Sequence, residues 1–263
     1  MNCLESRIKK IKKDKKKIFC AYVTLGYPAL SFTEKLITEF NKIGVDIIEL
    51  GIPFSDPLAD GPTIQDASFV ALKNKTKVCD AFNLVSRLRK KGVTLPIIFF
   101  SYYNIIYHYG IKDFVHKLVQ NGFDGVLCPD LPPEEDKYFD RQLRKNDLSL
   151  IYLIAPTSPH VRMKMLAKKS RGFIYYVSRR GVTGARHDLA RDLSVNLKQI
   201  KKYTQKSVLV GFGVSDKNQI KTICSVSDGV IVGSAIINEI KKTKSVKKTS
   251  LFVKKLVKTI KSI

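Results

Sequence analysis

The fold is decided by residues 46–65, DIIELGIPFSDPLADGPTIQ, which join an apolar run to an apparent helix through a loop. The run ends at Gly51 and Pro53, the pattern of a parallel strand that is buried on both faces and breaks into a loop. Glu49 stands inside this run. A carboxylate in such a strand loses its hydration, so it must find a partner or take up a proton. Glu49 is therefore the first candidate for a functional acid.

Asp60 is the second candidate, at the far end of the same loop. The loop is punctuated by Pro53, Pro57 and Pro62, and Pro62 can open the helix that follows. A strand-end glutamate and a loop aspartate can converge on one pocket. The alternative for Asp60 is a plain loop aspartate ahead of a helix, where this residue type is common.

Length and composition indicate a chain that can bury a sizeable core. The 263 residues are 44% hydrophobic, and no apolar run is long enough to cross a bilayer. The first 19 residues are rich in lysine and lack a continuous apolar segment, which predicts an amphipathic helix rather than a secretory leader. Because no linker rich in Gly, Ser or Pro divides the chain, we interpret residues 1–263 as one domain.

Cysteine and histidine usage argues against a metal centre. The five cysteines are scattered without a CxxC spacing, which is typical of reduced, buried thiols in a reducing compartment. The four histidines show no ligand spacing such as HExxH. We therefore expect no bound metal.

The net charge of +24, from 47 basic and 23 acidic residues, raises the possibility of a nucleic-acid-binding protein. The lysines are dispersed along the chain, however, and concentrate at 9–17 and 241–261, where apolar residues recur at helical spacing. Dispersed lysine is usually a solvated face, and no nucleic-acid-binding motif accompanies it. We expect no nucleic-acid or membrane partner. The positive field would also attract small phosphorylated substrates.

Strand-like runs and amphipathic segments alternate through the chain. The strand-like runs are 18–23, 46–50, 96–101, 125–128, 150–155, 173–177, 207–210 and 229–232. The helical segments are 31–43, 78–91, 111–121, 134–146, 161–170, 189–203, 216–225 and 246–260. Eight such units in a chain of this size predict an α/β fold, a (β/α)8 TIM barrel with an extra N-terminal helix and a short additional helix before the last one. An open doubly wound sheet is less consistent, because the first strand is not followed by GxGxxG.

A barrel places catalytic groups at the carboxyl ends of its strands and phosphate at the loops after strands seven and eight. The seventh strand runs into GFGVS at 211–215 and the eighth into GSA at 233–235. The sixth is followed by SRRGVTG at 178–184. Glycines let backbone N–H groups approach an anion closely, and a helix N-terminus adds a favourable dipole. These three turns together predict a phosphate-binding site.

The motifs resemble the tryptophan synthase alpha chain family. The resemblance rests on ELGIPFSDPLADGPTIQ at 49–65, on Ser178 and Arg179 with GVTG at 181–184, and on GFG at 211–213 with GSA at 233–235. It extends from the opening helix to the last one. It implies a barrel that cleaves indole-3-glycerol phosphate into indole and glyceraldehyde 3-phosphate. It also implies a beta-chain partner, in an alpha2beta2 complex, that holds pyridoxal phosphate and consumes the indole.

The reaction is a retro-aldol cleavage that two carboxylates can perform without a metal. It requires a proton delivered to indole C3, a proton removed from the adjacent hydroxyl, and stabilisation of charge at the ring nitrogen. By resemblance, Glu49 is the general acid and base, Asp60 hydrogen-bonds the indole N–H, and Tyr175 lies near the reacting glycerol. Burial should raise the pKa of Glu49 toward neutrality. An inward aromatic that only fills the barrel explains Tyr175 equally well.

The resemblance also implies three sets of substrate contacts. The predicted indole pocket consists of Tyr22, Phe100, Tyr102, Leu127 and Phe212, residues that core filling would explain as well. The predicted phosphate contacts are Gly184, Gly213, Gly233 and Ser234. The loop after the sixth strand, with Arg179 and Thr183, is the predicted lid that closes over the substrate and orients Asp60.

Two alternatives to a lyase subunit in a two-component complex stay open. One is a free-standing indole-releasing lyase. The other is a catalytically weak barrel that mainly activates the beta chain, although a buried acid is costly to keep in a scaffold. Residues 53–62 and 178–190, with Asp56 and the turn at 130–132, are the expected interface. The expected compartment is the cytoplasm or, alternatively, a plastid stroma.

Overall fold

The computed structural model describes residues 2–135, 137–178, 186–211 and 217–263. Within these ranges there are nine strands, and every paired strand is parallel to its neighbours. The strands are β1 (Ile18–Thr24), β2 (Ile47–Gly51), β3 (Ile97–Phe100), β4 (Gly125–Leu127), β5 (Ser149–Ile151), β6 (Leu153–Ile154), β7 (Phe173–Val177), β8 (Ser207–Gly211) and β9 (Gly229–Val232). They lie in the order β5-β4-β3-β2-β1-β9-β8-β7-β6.

The sheet closes because one predicted strand, 150–155, forms two short segments separated by Tyr152. β5 pairs with β4 and β6 pairs with β7, so this one stretch supplies both edges of the sheet. Two backbone hydrogen bonds join this stretch to the β7 segment, from Arg171 N to Leu150 O (2.9 Å) and from Tyr175 N to Tyr152 O (3.1 Å). Nine segments thus occupy eight barrel positions, and the predicted (β/α)8 barrel is confirmed.

Twelve helices lie within the described ranges, including the predicted N-terminal helix and the short helix before the last. They are α1 (Cys3–Lys13), α2 (Leu30–Ile43), α3 (Pro62–Lys73), α4 (Val78–Lys90), α5 (Tyr103–Tyr109), α6 (Ile111–Asn121), α7 (Lys137–Lys145), α8 (His160–Lys169), α9 (Arg186–Lys201), α10 (Lys217–Val226), α11 (Ser234–Thr243) and α12 (Val246–Lys261). The sequence did not predict α5. Its seven residues are too few to show a helical period of apolar and polar positions.

Helix α1 is fastened to the amino ends of the strands. It buries Leu4, Ile8 and Ile11 along one face, the spacing of an amphipathic helix. Asn2 caps the helix by accepting a hydrogen bond from Glu5 N, and its amide nitrogen donates to Ser149 Oγ at 2.9 Å, at the start of β5. The basic N-terminal segment is therefore part of the barrel and not a free tail.

Three aspartates fasten neighbouring strands at the amino ends of the barrel. Asp46, Asp124 and Asp228 immediately precede β2, β4 and β9, respectively. Each exchanges two hydrogen bonds with one residue of the strand beside it, because its backbone N–H donates to that residue's carbonyl and its carboxylate accepts from that residue's N–H. The carboxylate bonds are with Phe19 N (2.9 Å), Ile97 N (2.8 Å) and Val208 N (2.7 Å), and the backbone bonds are 3.0–3.1 Å. We call each of these arrangements a clasp.

Each clasp is also charge-neutralised by a cation from a helix. The ion pairs are Asp46 with Arg7 and Lys261, Asp124 with Arg89, and Asp228 with Lys201. Ser170, three residues before β7, makes a related contact, because its hydroxyl accepts a hydrogen bond from Tyr152 N at 3.2 Å. The amino end of the barrel is thus built for stability, as is usual for this fold.

Candidate active site

A cavity of about 180 Å³ opens at the carboxyl ends of the strands and contains most of the predicted residues that the structure describes. Its lining brings together Glu49, Asp60, Tyr175, Tyr22, Phe100, Gly233 and Ser234. Leu127 is fully buried and is not among the lining residues, and Tyr102 contacts the lining residues Asp60 and Ala59 without lining the cavity itself. The predicted residues Arg179, Thr183, Gly184, Phe212 and Gly213 lie outside the described residues.

Glu49 lies on β2 between Tyr22 on β1 and Ile98 on β3, in register with both. Its side chain is buried, with 1% of the residue exposed, and Oε1 has no hydrogen-bond partner among the described residues. Burial raises the pKa of Glu49 to about 8, because the charged form loses its hydration; the nearby Cys20 thiol offsets part of this shift. Glu49 is therefore protonated at neutral pH and ready to give up its proton.

Asp60 is held by an aromatic side chain from the next strand end. The hydroxyl of Tyr102 donates to Asp60 Oδ2 at 3.0 Å and accepts from Ala59 N at 3.0 Å, so it ties the loop to the barrel. The ring of Tyr102 stacks on Phe54 with centroids 5.2 Å apart. Burial raises the pKa of Asp60 to about 6, and the hydrogen bond from Tyr102 limits that rise.

Asp60 does not cap the helix that follows it. The N-cap of α3 is Gly61, no side chain makes a capping bond there, and Pro62 takes the first helical position. The Asp60 carboxylate therefore makes no capping hydrogen bond, and it faces the cavity. This arrangement favours the functional interpretation of Asp60 over the plain loop interpretation.

The two acids hold different protonation states at the same pH. With pKa values of about 8 and about 6, Glu49 is mainly neutral and Asp60 mainly ionised between them. Carboxyl groups whose environments separate their pKa values in this way are suited to distinct acid and base roles. The cavity can therefore deliver a proton at one point and stabilise positive charge at another.

Two glycines make room for the tyrosines of the cavity. A Cβ atom at Gly51 would lie 2.1 Å from the Tyr22 hydroxyl, and one at Gly211 would lie 2.2 Å from the Tyr175 hydroxyl. Each tyrosine therefore lies across the neighbouring strand end, which only glycine allows. The edge of Tyr22 also meets Phe100, with ring centroids 5.5 Å apart and an interplanar angle of 86°. The result is an aromatic wall beside Glu49.

The wall next to Tyr22 is the start of α11, since a Cβ atom at Gly233 would lie 3.3 Å from the Tyr22 Cβ. Gly233 is its N-cap and Ser234 its first residue, and both line the cavity. The free N–H groups and the dipole of a helix N-terminus favour an anion, and a hydroxyl can add a further donor. The structure describes two of the predicted phosphate contacts, Gly233 and Ser234, and both lie at this wall.

Sequence reasoning missed several residues of the cavity lining. The additional residues are Ala59, Gly61, Ile64, Leu153, Ile231, Ala235 and Asn238. Asn238 could have been predicted from the sequence, because it follows Ser234 by four positions on α11 and so lies on the same helical face. The apolar residues carry no such signal, since any of them would serve equally well in a barrel core.

Two further observations concern metals and membranes. Among the described residues, no group of three or more His, Cys, Asp or Glu side chains is arranged to hold a metal ion. Across the same ranges, no helix is both long enough and apolar enough to cross a membrane.

The fold and the cavity define a (β/α)8 barrel with an acid-lined site at the carboxyl ends of its strands, where barrel enzymes carry their catalytic groups. The family model of the tryptophan synthase alpha chain matches residues 8–262. The chain belongs to the tryptophan synthase alpha chain family.

Individual relatives and solved structures agree with this assignment. The chain is 45% identical over 244 residues to the tryptophan synthase alpha chain of Dehalococcoides mccartyi, covering 92% of this chain and 94% of the relative. It superimposes on tryptophan synthase subunit alpha from Legionella pneumophila with a TM-score of 0.92 and 34% identity, over 100% of both chains. A tryptophan synthase structure from Mycobacterium tuberculosis gives a TM-score of 0.90 at 28% identity, over 99% of both chains.

Proposed function

We propose that this chain, acting as one barrel domain, cleaves indole-3-glycerol phosphate into indole and glyceraldehyde 3-phosphate. The observation that carries the proposal is the meeting of a buried, protonated Glu49 with an ionised Asp60 in one cavity that is also lined by a helix N-terminus. The substrate has matching parts: a ring to be protonated, a ring N–H that gains positive charge, and a phosphate. Family membership supports the same reaction.

The chemistry follows from the protonation states. Protonated Glu49 donates its proton to indole C3, which leaves the ring cationic at the nitrogen. The Asp60 carboxylate accepts a hydrogen bond from the ring N–H and stabilises that cation. Glu49, now ionised, removes the proton of the adjacent hydroxyl, the carbon–carbon bond breaks, and its electron pair returns to the ring. The products are indole and an aldehyde, and Glu49 is protonated again.

We assign the remaining contacts by position. The aromatic wall of Tyr22 and Phe100 fits the flat ring, and Tyr175 lies beside it. The phosphate lies against Gly233 and Ser234, whose backbone N–H groups and hydroxyl are the donors. Gly184, Gly213, Phe212 and the lid residues Arg179 and Thr183 stay predictions for these same roles.

We also propose a beta-chain partner in an alpha2beta2 complex, which holds the pyridoxal phosphate and consumes the indole. Leu58, in the loop that ends at Asp60, is 93% exposed, which is unusual for a leucine and suits a surface that a partner covers. Asp56 is exposed in the same loop. The bacterial sources of the compared proteins support the cytoplasm over a plastid stroma.

The experiment that tests this proposal measures indole released from indole-3-glycerol phosphate by the purified chain, with and without a beta chain. Release that increases when the beta chain is added supports a lyase subunit of a complex. An indole release rate that does not change when the beta chain is added favours the free-standing lyase. No release under either condition, with activation of the beta chain retained, would favour the scaffold and overturn the catalytic proposal.

Replacing Asp60 by asparagine should lower kcat for indole release by about 100-fold, the scale of a lost electrostatic contact in the transition state. Asparagine keeps an oxygen that can accept the Tyr102 hydrogen bond, so the loop should stay in place. The measurement is steady-state indole formation without a beta chain. The matched control is Asp56→Asn, an exposed carboxylate of the same loop, which should stay within about twofold since exposed substitutions change little. Equal losses in both variants would contradict the assigned role.

Replacing Asn238 by aspartate should raise KM for indole-3-glycerol phosphate by about tenfold and leave kcat nearly unchanged. Asn238 lines the cavity one turn beyond Ser234, so a negative charge there repels the substrate phosphate in the ground state and the transition state alike. Lys242→Gln makes the same change in net charge on α11 outside the cavity lining, and it should leave KM within about twofold. An unchanged KM in Asn238→Asp would place the phosphate elsewhere.

A further inference from the structure

A second and larger depression lies on the outside of the barrel, between helices α2 and α12. This groove has a volume of about 600 Å³, within the usual range for small-molecule sites, and shares no lining residue with the reaction cavity. Its walls are Glu34, Lys35, Thr38, Glu39 and Ile43 from α2, Val246, Lys247, Ser250, Leu251 and Lys254 from α12, and Lys91 just beyond α4. We call it the α2/α12 groove.

The cations of the α2/α12 groove are not balanced by its acids. Lys35, Lys247 and Lys254 make no ion pair with any described residue. Its two glutamates are already engaged, Glu34 with Arg87 and Lys91 and Glu39 with Lys42. The groove therefore presents uncompensated positive charge to whatever enters it.

The floor of the groove is apolar, with one unsatisfied polar atom. Ile43, Val246 and Leu251 supply apolar surface, and Leu251 is 51% exposed. Ser250 is only 6% exposed, and its Oγ has no hydrogen-bond partner among the described residues. This oxygen is closed to solvent, so it lies beneath the surface that a ligand would touch, and the apolar side chains form that surface.

We infer that the α2/α12 groove binds a small amphiphilic carboxylate, an apolar chain or ring that ends in one carboxylate. The apolar body covers Leu251 and its neighbours on the floor and removes them from water. The carboxylate accepts charge-assisted hydrogen bonds from Lys247 and Lys254. The inference does not depend on the proposed reaction, because the two sites have no residue in common.

Binding of decanoate, measured by isothermal titration calorimetry at low ionic strength, tests this inference. We expect saturable binding of one decanoate per chain, with much weaker binding of decanol, which lacks the charge, and of decylamine, which reverses it. The double variant Lys247→Ser/Lys254→Ser should bind decanoate at least about tenfold more weakly, the scale of one lost charge-assisted hydrogen bond.

The matched control is Lys9→Ser/Lys13→Ser, which removes the same charge from exposed positions of α1 outside the groove. It should keep decanoate affinity within about twofold, because neither lysine lines the groove and exposed substitutions away from a site change little. All of these variants should keep the basal indole-releasing activity. Equal losses in the two double variants would show attraction by net charge alone and overturn the inference. Tight binding of decylamine, or no saturable binding of decanoate, would do the same.

Discussion

Replacing Glu49 by glutamine is expected to lower the rate of indole release by about 10³-fold, the range of a lost general acid and base. Glutamine has nearly the size of glutamate but cannot give up or accept the proton at indole C3 and at the hydroxyl. Because Glu49 is buried, a water molecule cannot readily take over its proton transfers. The measurement is single-turnover indole formation, which separates the chemical step from product release.

The same variant provides its own test of folding. Glu49 has its pKa raised from the usual 4.5 to about 8, so the folded protein holds a proton there that the unfolded chain has lost. The stability of the native protein therefore falls as pH rises from about 4.5 to about 8, where the penalty is complete. Glu49→Gln has no charge to bury, so it should be more stable than the native protein at alkaline pH and similar below pH 4.5.

Thermal unfolding of both proteins at several pH values checks this expected difference in stability. The expected signature is an inactive protein whose Tm exceeds that of the native chain by a growing margin as the pH rises. A variant that loses activity and also unfolds at lower temperature at every pH would show that Glu49 supports the structure and not the reaction. Indole release at the native rate would remove Glu49 from the mechanism altogether.

Replacing Asp46 by alanine should destabilise the barrel by about 2 kcal/mol, the cost of leaving the buried Phe19 N–H without its acceptor. The Asp46 side chain is almost fully buried, and its loss would strand Arg7 and Lys261 as well as the Phe19 N–H. The measurement is the free energy of unfolding in urea at neutral pH, with indole release measured at low temperature, where the folded fraction is still high. We expect activity per folded molecule to stay close to native.

Asp46→Asn separates the two parts of that loss. Asparagine keeps an oxygen for the Phe19 N–H but carries no charge, so its effect should lie between those of alanine and the native residue. The surface aspartate Asp66, which is exposed and paired only with Lys241, is the control and should change stability by less than about 1 kcal/mol on replacement by alanine. If Asp46→Ala and Asp66→Ala lower the free energy of unfolding equally, the clasp makes no specific contribution to stability.

The reason Glu49 could be found from the sequence is physical. A carboxylate in the middle of IIEL conflicts with the apolar neighbours that make the strand, and such a conflict seldom persists without a function. The barrel itself was predictable for a related reason, because the alternation of eight apolar runs with amphipathic segments leaves few other folds. Strand ends then located Asp60 and the turn at Gly233.

Other features could not be predicted because they depend on directions that a linear pattern does not record. Tyr102 was expected as a ring contact, but its hydroxyl points to the loop and holds Asp60. The interruption at Tyr152 was invisible, since both halves of 150–155 are equally apolar. The clasps were missed for a different reason: an aspartate just before a strand looks like any turn residue until its partner strand is known.

The clasps have a consequence for how such a barrel can change over time. Each one ties a strand to its immediate neighbour in the sheet, so the hydrogen bonds that fasten a strand pair come from residues of that pair. A two-strand unit can therefore be duplicated, exchanged or redesigned together with its own clasp. The chemistry at the mouth is free to diversify while the base of the barrel stays assembled.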